Sequence, residues 1–355
     1  MSEENQTQKK LLSICIPTYN RPNKLKRLYD FFLRRALNEY SNQIEIVVCD
    51  NSDNKNAQLN QTTLGNSVHY SKNEINLGFS GNLVRCAEEA TGQFIWFISD
   101  DDLVDWNGFR RLIDYLPYAA EQGIDCIMLP YFTKNNSGEV KIYNDSNSWG
   151  KGRDVDIATF VTPLRQLPFV LFSSVVVRLD KKNLNQIAKE FSGNFLIQIP
   201  FFFSMLKMES KLHFLDDCVI EFISDSSDGD WRLALMYRYK IDVFLFLKRY
   251  GIDVATLMDN GYKEMLLCML SHRGGIANIE YADKDRWSVL ADLGHHLNMK
   301  TILLAFALIV PKVLIRQPYI FYQSIKYAQD NRNLSIKTVV SRYKTLQHHT
   351  PTNNS

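Results

Sequence analysis

Between residues 11 and 129, short apolar runs alternate with stretches of helical periodicity, and this alternation constrains the fold more than any other feature of the chain. The runs Leu11–Ile16, Ile44–Cys49, Phe94–Ile98 and Cys126–Leu129 read as buried strands, the first closed by Pro17, and Val68–Tyr70 reads as a shorter one. Between them, Lys24–Leu37 carries Leu25, Leu28, Phe32, Leu33 and Ala36 at helical spacing. Ser80–Ala90 repeats that pattern and is stopped by Gly92; Gly108–Leu116 is a third helix. Strands that are apolar on both faces and separated by amphipathic helices predict a mostly parallel sheet covered by helices on both sides, an α/β fold.

Beyond Asn135 the alternation weakens. Asn135–Asp156 is rich in Asn, Ser, Gly and Asp and predicts a loop or irregular strands. Phe169–Arg178 and Leu212–Ile223 are strand-like, Asn183–Phe191 and Pro200–Ser210 helical, and the pattern is mainly helical from Trp231. Charged residues make up 23% and hydrophobic ones 45% of the 355 residues, which excludes disorder for most of the chain. Forty-one basic residues against 39 acidic ones leave a net charge of +2, so nothing suggests nucleic acid as a partner. Cys15, Cys49, Cys86, Cys126, Cys218 and Cys268 lack metal-ligand spacing and read as free thiols. Met1–Lys10 is polar and has no signal-peptide core, which together with free thiols predicts a cytoplasmic protein. The most apolar run, Ile302–Val310, is too short to span a bilayer.

Ligands of open parallel sheets bind at the carboxyl ends of the strands. After the first strand comes Pro17-Thr18-Tyr19-Asn20-Arg21-Pro22, after the second Asp50-Asn51-Ser52-Asp53, and after Phe94–Ile98 comes Ser99-Asp100-Asp101-Asp102. Three adjacent acids raise one another's pKa unless a cation compensates them. They suit a hard divalent metal, or alternatively the N-terminus of a helix. Asp50 suits either a hydrogen-bonding role toward a nucleobase or ribose, or a turn.

As an ordered set, Ser13-Ile14-Cys15-Ile16-Pro17-Thr18-Tyr19-Asn20-Arg21-Pro22, Glu45-Ile46-Val47-Val48-Cys49-Asp50-Asn51-Ser52, Asn76-Leu77-Gly78-Phe79, Ala90-Thr91-Gly92-Gln93-Phe94 and the acid triplet resemble the N-terminal half of family 2 glycosyltransferases of the GT-A fold. Within that family they look most like the abequosyltransferase-like enzymes of bacterial surface polysaccharide synthesis. The resemblance implies inverting transfer of a sugar from a nucleotide-diphosphate sugar to a hydroxyl of a growing, lipid-linked glycan such as O-antigen or capsule. It implies that Pro17, Tyr19 and Asn20 line the nucleotide pocket and that Asp50 holds the base. Asn76, Gly78 and Asn82 would lie near the ribose and diphosphate. The triplet would match the family's Asp-x-Asp element: Asp100 approaches the ribose and Asp102 binds Mn²⁺ or Mg²⁺, or Asp101 does so if Ser99 stands at the family's first Asp. The implied domains are a GT-A domain over 1–230, with a nucleotide-sugar half (1–130) and an acceptor half (131–230), then a helical region (231–345) and a disordered tail (346–355).

The chain departs from the family where the catalytic base is expected. That place falls near Gln198 and Ile199, neither of which is a base, and Glu190, Asp216, Asp217 and His213 are the substitutes. Asp225, Asp228, Asp230, Trp231 and Arg232 follow the last core strand, where related enzymes close a loop over the donor; Arg232 would reach the diphosphate. Between Lys312 and Thr345 seven basic residues face one acid, Asp330, and are interleaved with Tyr319, Phe321, Tyr322 and Tyr327. Such a segment suits peripheral attachment to the anionic cytoplasmic membrane surface, or a solvated tail. Two other functions compete with transfer. A non-catalytic glycan-binding or scaffold protein would explain the absent base. A sugar nucleotidyltransferase normally has a Gly-rich phosphate loop after the first strand, which this chain lacks.

Overall fold

The computed structural model describes residues 10–134, 139–162, 166–222, 233–255, 321, 324 and 325. Its strands are β1 (Leu12–Thr18), β2 (Ile44–Asp50), β3 (His69–Lys72), β4 (Phe94–Phe97), β5 (Leu103–Val104), β6 (Ile124–Met128), β7 (Tyr131–Lys134), β8 (Val140–Tyr143), β9 (Asp154–Asp156), β10 (Val175–Arg178), β11 (Lys211–Phe214) and β12 (Ile220–Glu221). The helices are α1 (Pro22–Leu28), α2 (Arg34–Tyr40), α3 (Asn54–Leu64), α4 (Gly78–Glu89), α5 (Trp106–Gln122), α6 (Ser146–Trp149), α7 (Ile157–Phe160), α8 (Leu184–Glu190), α9 (Gln198–Ser204) and α10 (Leu233–Arg249). A π-turn over Tyr29–Leu33 joins α1 to α2.

The main sheet has eight strands in the order β3-β2-β1-β4-β10-β6-β11-β9, and β5-β12-β7-β8 form a second, four-stranded sheet. The pairs β1–β2, β1–β4, β2–β3 and β6–β11 are parallel. β10 runs antiparallel between β4 and β6. Parallel neighbours need crossover helices, so both faces of the sheet centre are covered and β1, β2, β4 and β6 are buried almost throughout, whereas the edge strands β3 and β9 are polar and largely exposed. On one face Phe32, Trp96 and Phe109 pack edge-on and stacked, the Phe32 and Phe109 rings 4.8 Å apart. On the other, α4 buries Leu83, Cys86 and Ala87. Cys15, Cys49, Cys86 and Cys126 are buried free thiols.

The expected strands and helices of the first half are present. Three elements of the second half are shorter than the pattern predicts: the strand expected over Phe169–Arg178 is only Val175–Arg178, preceded by a 3-10 turn, the helix expected over Pro200–Ser210 ends at Ser204, and Leu212–Ile223 is two strands separated by a turn. Helix α3 has no counterpart in the sequence reading. It buries only Ala57, Asn60 and Leu64, too narrow a stripe to be periodic, and starts where Asp53 accepts a hydrogen bond from Asn56 N. By its contacts the chain divides into two units, 1–227 with 246–253, and 228–245 with 254–355. No helix among the described residues is long and apolar enough to cross a membrane.

Candidate active site

β4 delivers the acid triplet to the carboxyl edge of the sheet, beside the end of β1. Thr18 Oγ1 donates to Asp100 Oδ2 at 2.7 Å. Arg21 Nη1 lies 3.2 Å from Asp100 Oδ1 and 3.3 Å from Asp101 Oδ2, and Lys24 Nζ lies 3.5 Å from the same Asp101 oxygen. Arg27 donates to the Asp101 backbone carbonyl at 2.7 Å. Ser173, just before β10, accepts from Ser99 N through its hydroxyl. Asp100 and Asp102 are buried, whereas the Asp101 side chain is 25% exposed. Burial pushes the Asp100 carboxyl up to about 6 against the pull of Thr18 and Arg21. Burial, with Asp101 and Asp100 close by, pushes Asp102 up to about 7 despite a hydrogen bond from Ser173.

Asp102 Oδ2 is buried with no hydrogen-bond partner. A carboxylate oxygen left unpaired in the interior is costly, and ligation of a cation satisfies it. An all-oxygen donor set suits Mg²⁺ or Mn²⁺, so these residues fit a divalent metal. Among the described residues no three His, Cys, Asp or Glu side chains already converge on one point. Arg21 and Lys24 draw on Asp101, while Asp102 is buried.

A polar pocket at the ends of β1, β2 and β3 is lined by Tyr19, Asn20, Asn51, Ser52, Lys72, Asn73 and Asn76, among others. Tyr19 is half exposed. Asn20 adopts φ +52°, a left-handed turn that Asn tolerates; its N–H donates to Ser52 Oγ at 2.7 Å and its Oδ1 accepts from Asp53 N. Pro17 is half-buried within β1, level with Cys49. Gly78 starts α4 at φ +68°, its N–H donating to the exposed Asn76 Oδ1 at 2.8 Å.

Asp50 and Asn82 are buried and bonded to protein groups. Asp50 is fully buried, and its carboxylate accepts from Ser52 N, Asn60 Nδ2 and Tyr70 Oη at 2.7–2.8 Å. Its oxygens face the protein, not the pocket. Asn82 is buried too, donating to the carbonyls of Thr18 and Cys49 and accepting from Asn73 Nδ2. Asn73 also donates to Asn51 Oδ1, which completes an Asn51-Asn73-Asn82 network under the pocket floor.

The substitutes for the base are engaged elsewhere. Glu190 closes α8 and pairs with Arg249, and Asp216 pairs with Arg153. Asp217 pairs with Arg111 at 3.0 Å. His213 bonds Asp154 at 2.7 Å and stacks on Tyr115. Gln198, at the first turn of α9, is buried; it donates to the Val170 carbonyl at 2.8 Å, and its own Oε1 has no partner. Trp231, Arg232 and the segment from Lys312 to Thr345, apart from Phe321, Ser324 and Ile325, lie outside the described residues. Sequence reasoning assigned no role to Arg21, Lys24 and Arg27, although their three-residue spacing places them on one face, from the N-cap of α1 to its last turn. It gave Asn51 no role of its own beyond the stretch after β2, and it missed Asn73 and Ser173, which carry no motif.

Known proteins resemble the chain in sequence over part of its length and in fold. Residues 13–160 match the sequence profile of Glycosyl transferase family 2. Abequosyltransferase RfbV of Salmonella typhimurium is 29% identical over 143 residues, 39% of this chain and 41% of its own length. An uncharacterized protein of Mycobacterium tuberculosis is 35% identical over 95 residues, 26% of this chain and 28% of that one. The chain thus spans less than half the length of either relative. Among solved structures, S. aureus TarS 1–349 in complex with UDP-GlcNAc superimposes with a TM-score of 0.53 at 15% identity, covering 95% of this chain and 90% of that one. The same protein with UDP gives 0.51 at 14%. At such identity the likeness shows the fold, the GT-A arrangement of a large mixed sheet between helices. Residues 13–160 are thus similar to family 2 glycosyltransferases, in a chain that over part of its length resembles the Salmonella abequosyltransferase.

Proposed function

We propose that the chain moves a sugar, with inversion, from a nucleotide-diphosphate sugar to a hydroxyl of a growing, lipid-linked bacterial surface glycan. The observation that carries this reading is the position of the acid triplet. It stands at the carboxyl end of β4, one strand from a polar pocket, with a buried Asp102 oxygen unsatisfied. The nucleotide occupies the pocket, its base against the exposed Tyr19 ring. Asp50 acts one layer back, holding Ser52 and Tyr70 so that the Asn51-Ser52 turn keeps its shape. Asn76 and the N–H groups at the start of α4 face the ribose and diphosphate, where a helix N-terminus favours negative charge. Asp102, through its unpartnered oxygen, and Asp101, through its exposure, are the residues that would hold Mn²⁺ or Mg²⁺. Bound there, the metal would offset the negative charge that gathers on the leaving diphosphate. The name of the Salmonella relative and the UDP-GlcNAc bound by TarS support a nucleotide-sugar donor. The basic, aromatic segment from Lys312 to Thr345 supports an acceptor held at the cytoplasmic membrane surface.

A second reading, non-catalytic glycan binding, draws on Gln198, which stands where a base is expected and is itself buried and bonded to Val170. Nucleotide release from CDP-, GDP-, UDP- and dTDP-sugars, measured with Mn²⁺ and an extracted lipid-linked acceptor, separates the two. Transfer predicts acceptor-dependent release that falls at least 100-fold in Asp101→Asn or Asp102→Asn. Tight donor binding without release in the wild type favours the second reading.

A further inference from the structure

One strand beyond the acid triplet, at the start of β10, apolar side chains gather at the edge of the sheet. The Phe79 and Phe172 rings lie 5.9 Å apart, and Phe195 stacks on Phe79 at 6.3 Å. Val170 and Phe195 are half exposed, Phe79 and Phe172 half-buried. The backbone behind them is strained and firmly held. Phe169 adopts φ +60°, which a bulky side chain rarely does. Its buried ring lies 5.2–6.0 Å from those of Phe160, Phe202 and Phe203, which keep it there. The Val170 carbonyl accepts from Gln198 Nε2 at 2.8 Å. The Ser173 hydroxyl accepts from Ser99 N at 3.1 Å, and the Ser173 carbonyl accepts from Trp96 Nε1 at 2.7 Å. The segment is therefore tied directly to the stretch that carries the triplet. Gln198 is 4% exposed, and its Oε1 has no partner.

We propose that Phe172, Phe79 and Val170 form a wall on which a sugar ring of the acceptor glycan lies, with Gln198 Oε1 receiving one of its hydroxyls. This rests on the glycosyl-transfer reading and deepens it, to the acceptor side of the site. A pyranose has an apolar C–H face bordered by hydroxyls. Aromatic rings cover such a face, and a few placed polar groups fix its orientation. An apolar tail would gain nothing from Gln198, whereas a hydroxyl satisfies an amide oxygen that is costly to leave unpaired. The placement suits the chemistry. Inversion requires the attacking hydroxyl to come from the side opposite the leaving diphosphate. The polar pocket stands at the ends of β1, β2 and β3, the triplet follows β4, and β10 is the next strand in the sheet. Because β10 runs antiparallel to β4, its first residues lie at the same edge as the triplet. Nucleotide, diphosphate, transferred sugar and acceptor then succeed one another along that edge.

The test is saturation-transfer NMR on the full chain. The probes are methyl pyranosides of glucose, galactose, mannose and N-acetylglucosamine, and the glycan released by mild acid from the extracted lipid-linked acceptor. Wild type, Phe172→Ala, Phe172→Tyr and Val170→Ser are compared, with and without Mn²⁺ and an equimolar mixture of CDP, GDP, UDP and dTDP. The expected result is saturation of ring protons on one face of at least one probe in the wild type. It should be at least fivefold weaker in Phe172→Ala, at least twofold weaker in Val170→Ser and retained in Phe172→Tyr. The nucleotides should leave it in place, because nucleotide and acceptor occupy different parts of the edge. Circular dichroism confirms folding, and Val170→Ser, a change at a half-exposed side chain, serves if Phe172→Ala does not fold. No saturation of any probe in the wild type overturns the wall, as does equal saturation in wild type and variants. Saturation abolished by the nucleotides, or binding of the intact lipid-linked acceptor alone, overturns it too. The transfer reading survives each of these results if acceptor-dependent nucleotide release persists. Saturation with no nucleotide release from any donor overturns the transfer reading instead, and supports the wall as a glycan-binding site.

Discussion

At the scale of single residues, hydrogen-bond partners and not burial separate the acids at the ends of β2 and β4. Asp50 and Asp102 both follow apolar strands and look alike in the sequence, but their surroundings differ. Asp50 has protein donors on both oxygens, whereas Asp102 has an oxygen with none. Substitution should therefore act oppositely on stability and function. Asp50→Ala leaves the Asn60 amide, the Tyr70 hydroxyl and the Ser52 N–H without their acceptor. A hydrogen bond to a buried charge contributes about 1.5–3 kcal/mol, and the stranded donors add to the loss. An overall destabilisation of about 3 kcal/mol is expected, or roughly 6–12 °C in thermal unfolding for a domain of this size. Asp102→Asn removes a buried charge that lacks a full set of partners and should leave the melting temperature unchanged or higher while abolishing turnover. If calorimetry finds Asp50→Ala as stable as the wild type and weakened only in nucleotide affinity, Asp50 touches the base after all.

At the scale of elements, close approach decides what composition does not. Gly108 lies in the first turn of α5, where an added Cβ would stand 2.2 Å from the Cys218 carbonyl oxygen and 2.9 Å from Val219 Cα. Those atoms are backbone, in the stretch leading into β12, and cannot rotate away. Gly108→Ala should therefore push α5 off the second sheet and cost about 2–4 kcal/mol, the range of severe overpacking, measured by urea unfolding. At an open surface of a helix the same change would stabilise. This also marks how far the sequence was readable. Most elements of the first half were legible because β1, β2, β4 and β6 are apolar on both faces and the helices from Pro22 to Tyr40 have a clear stripe in Leu25, Leu28, Phe32 and Leu33. Elements whose burial comes from tertiary contact were not. Asn60 of α3 is buried with its amide bonded to Asp50, and β5 and β12 are two residues long, paired among the described residues with each other and β7. The acid triplet was legible as a site because adjacent like charges after a buried strand need a reason. Its counter-ions were not, because basic residues on a helix ordinarily face solvent.

At the scale of the whole molecule, the titratable groups set a stability profile with two flanks. Burial raises the Glu45 carboxyl, but hydrogen bonds from Ser13, Thr91 and Gly92 outweigh it and hold the folded value below 4.5. A depressed carboxylate contributes stability that is present above its unfolded pKa and lost as pH falls through its folded value, so Glu45 builds the acid flank. Asp100 and Asp102 act with the opposite sign. In the metal-free protein their folded values, about 6 and about 7, exceed the ordinary 3.8. The folded state then binds more protons than the unfolded one between those limits. The contribution is complete below pH 3.8 and is lost as pH rises through 6 and 7. Urea unfolding in EDTA should accordingly show stability declining from pH 5 to pH 8, an unusual direction for a protein whose net charge is only +2. Asp102→Asn should flatten that decline without altering the acid flank, and Glu45→Gln should flatten the acid flank alone. A wild type whose stability rises from pH 5 to pH 8 would mean that Arg21, Lys24 and Arg27 neutralise the triplet fully. In that case the unpaired Asp102 oxygen would impose no penalty, and the metal-binding reading would lose its physical basis.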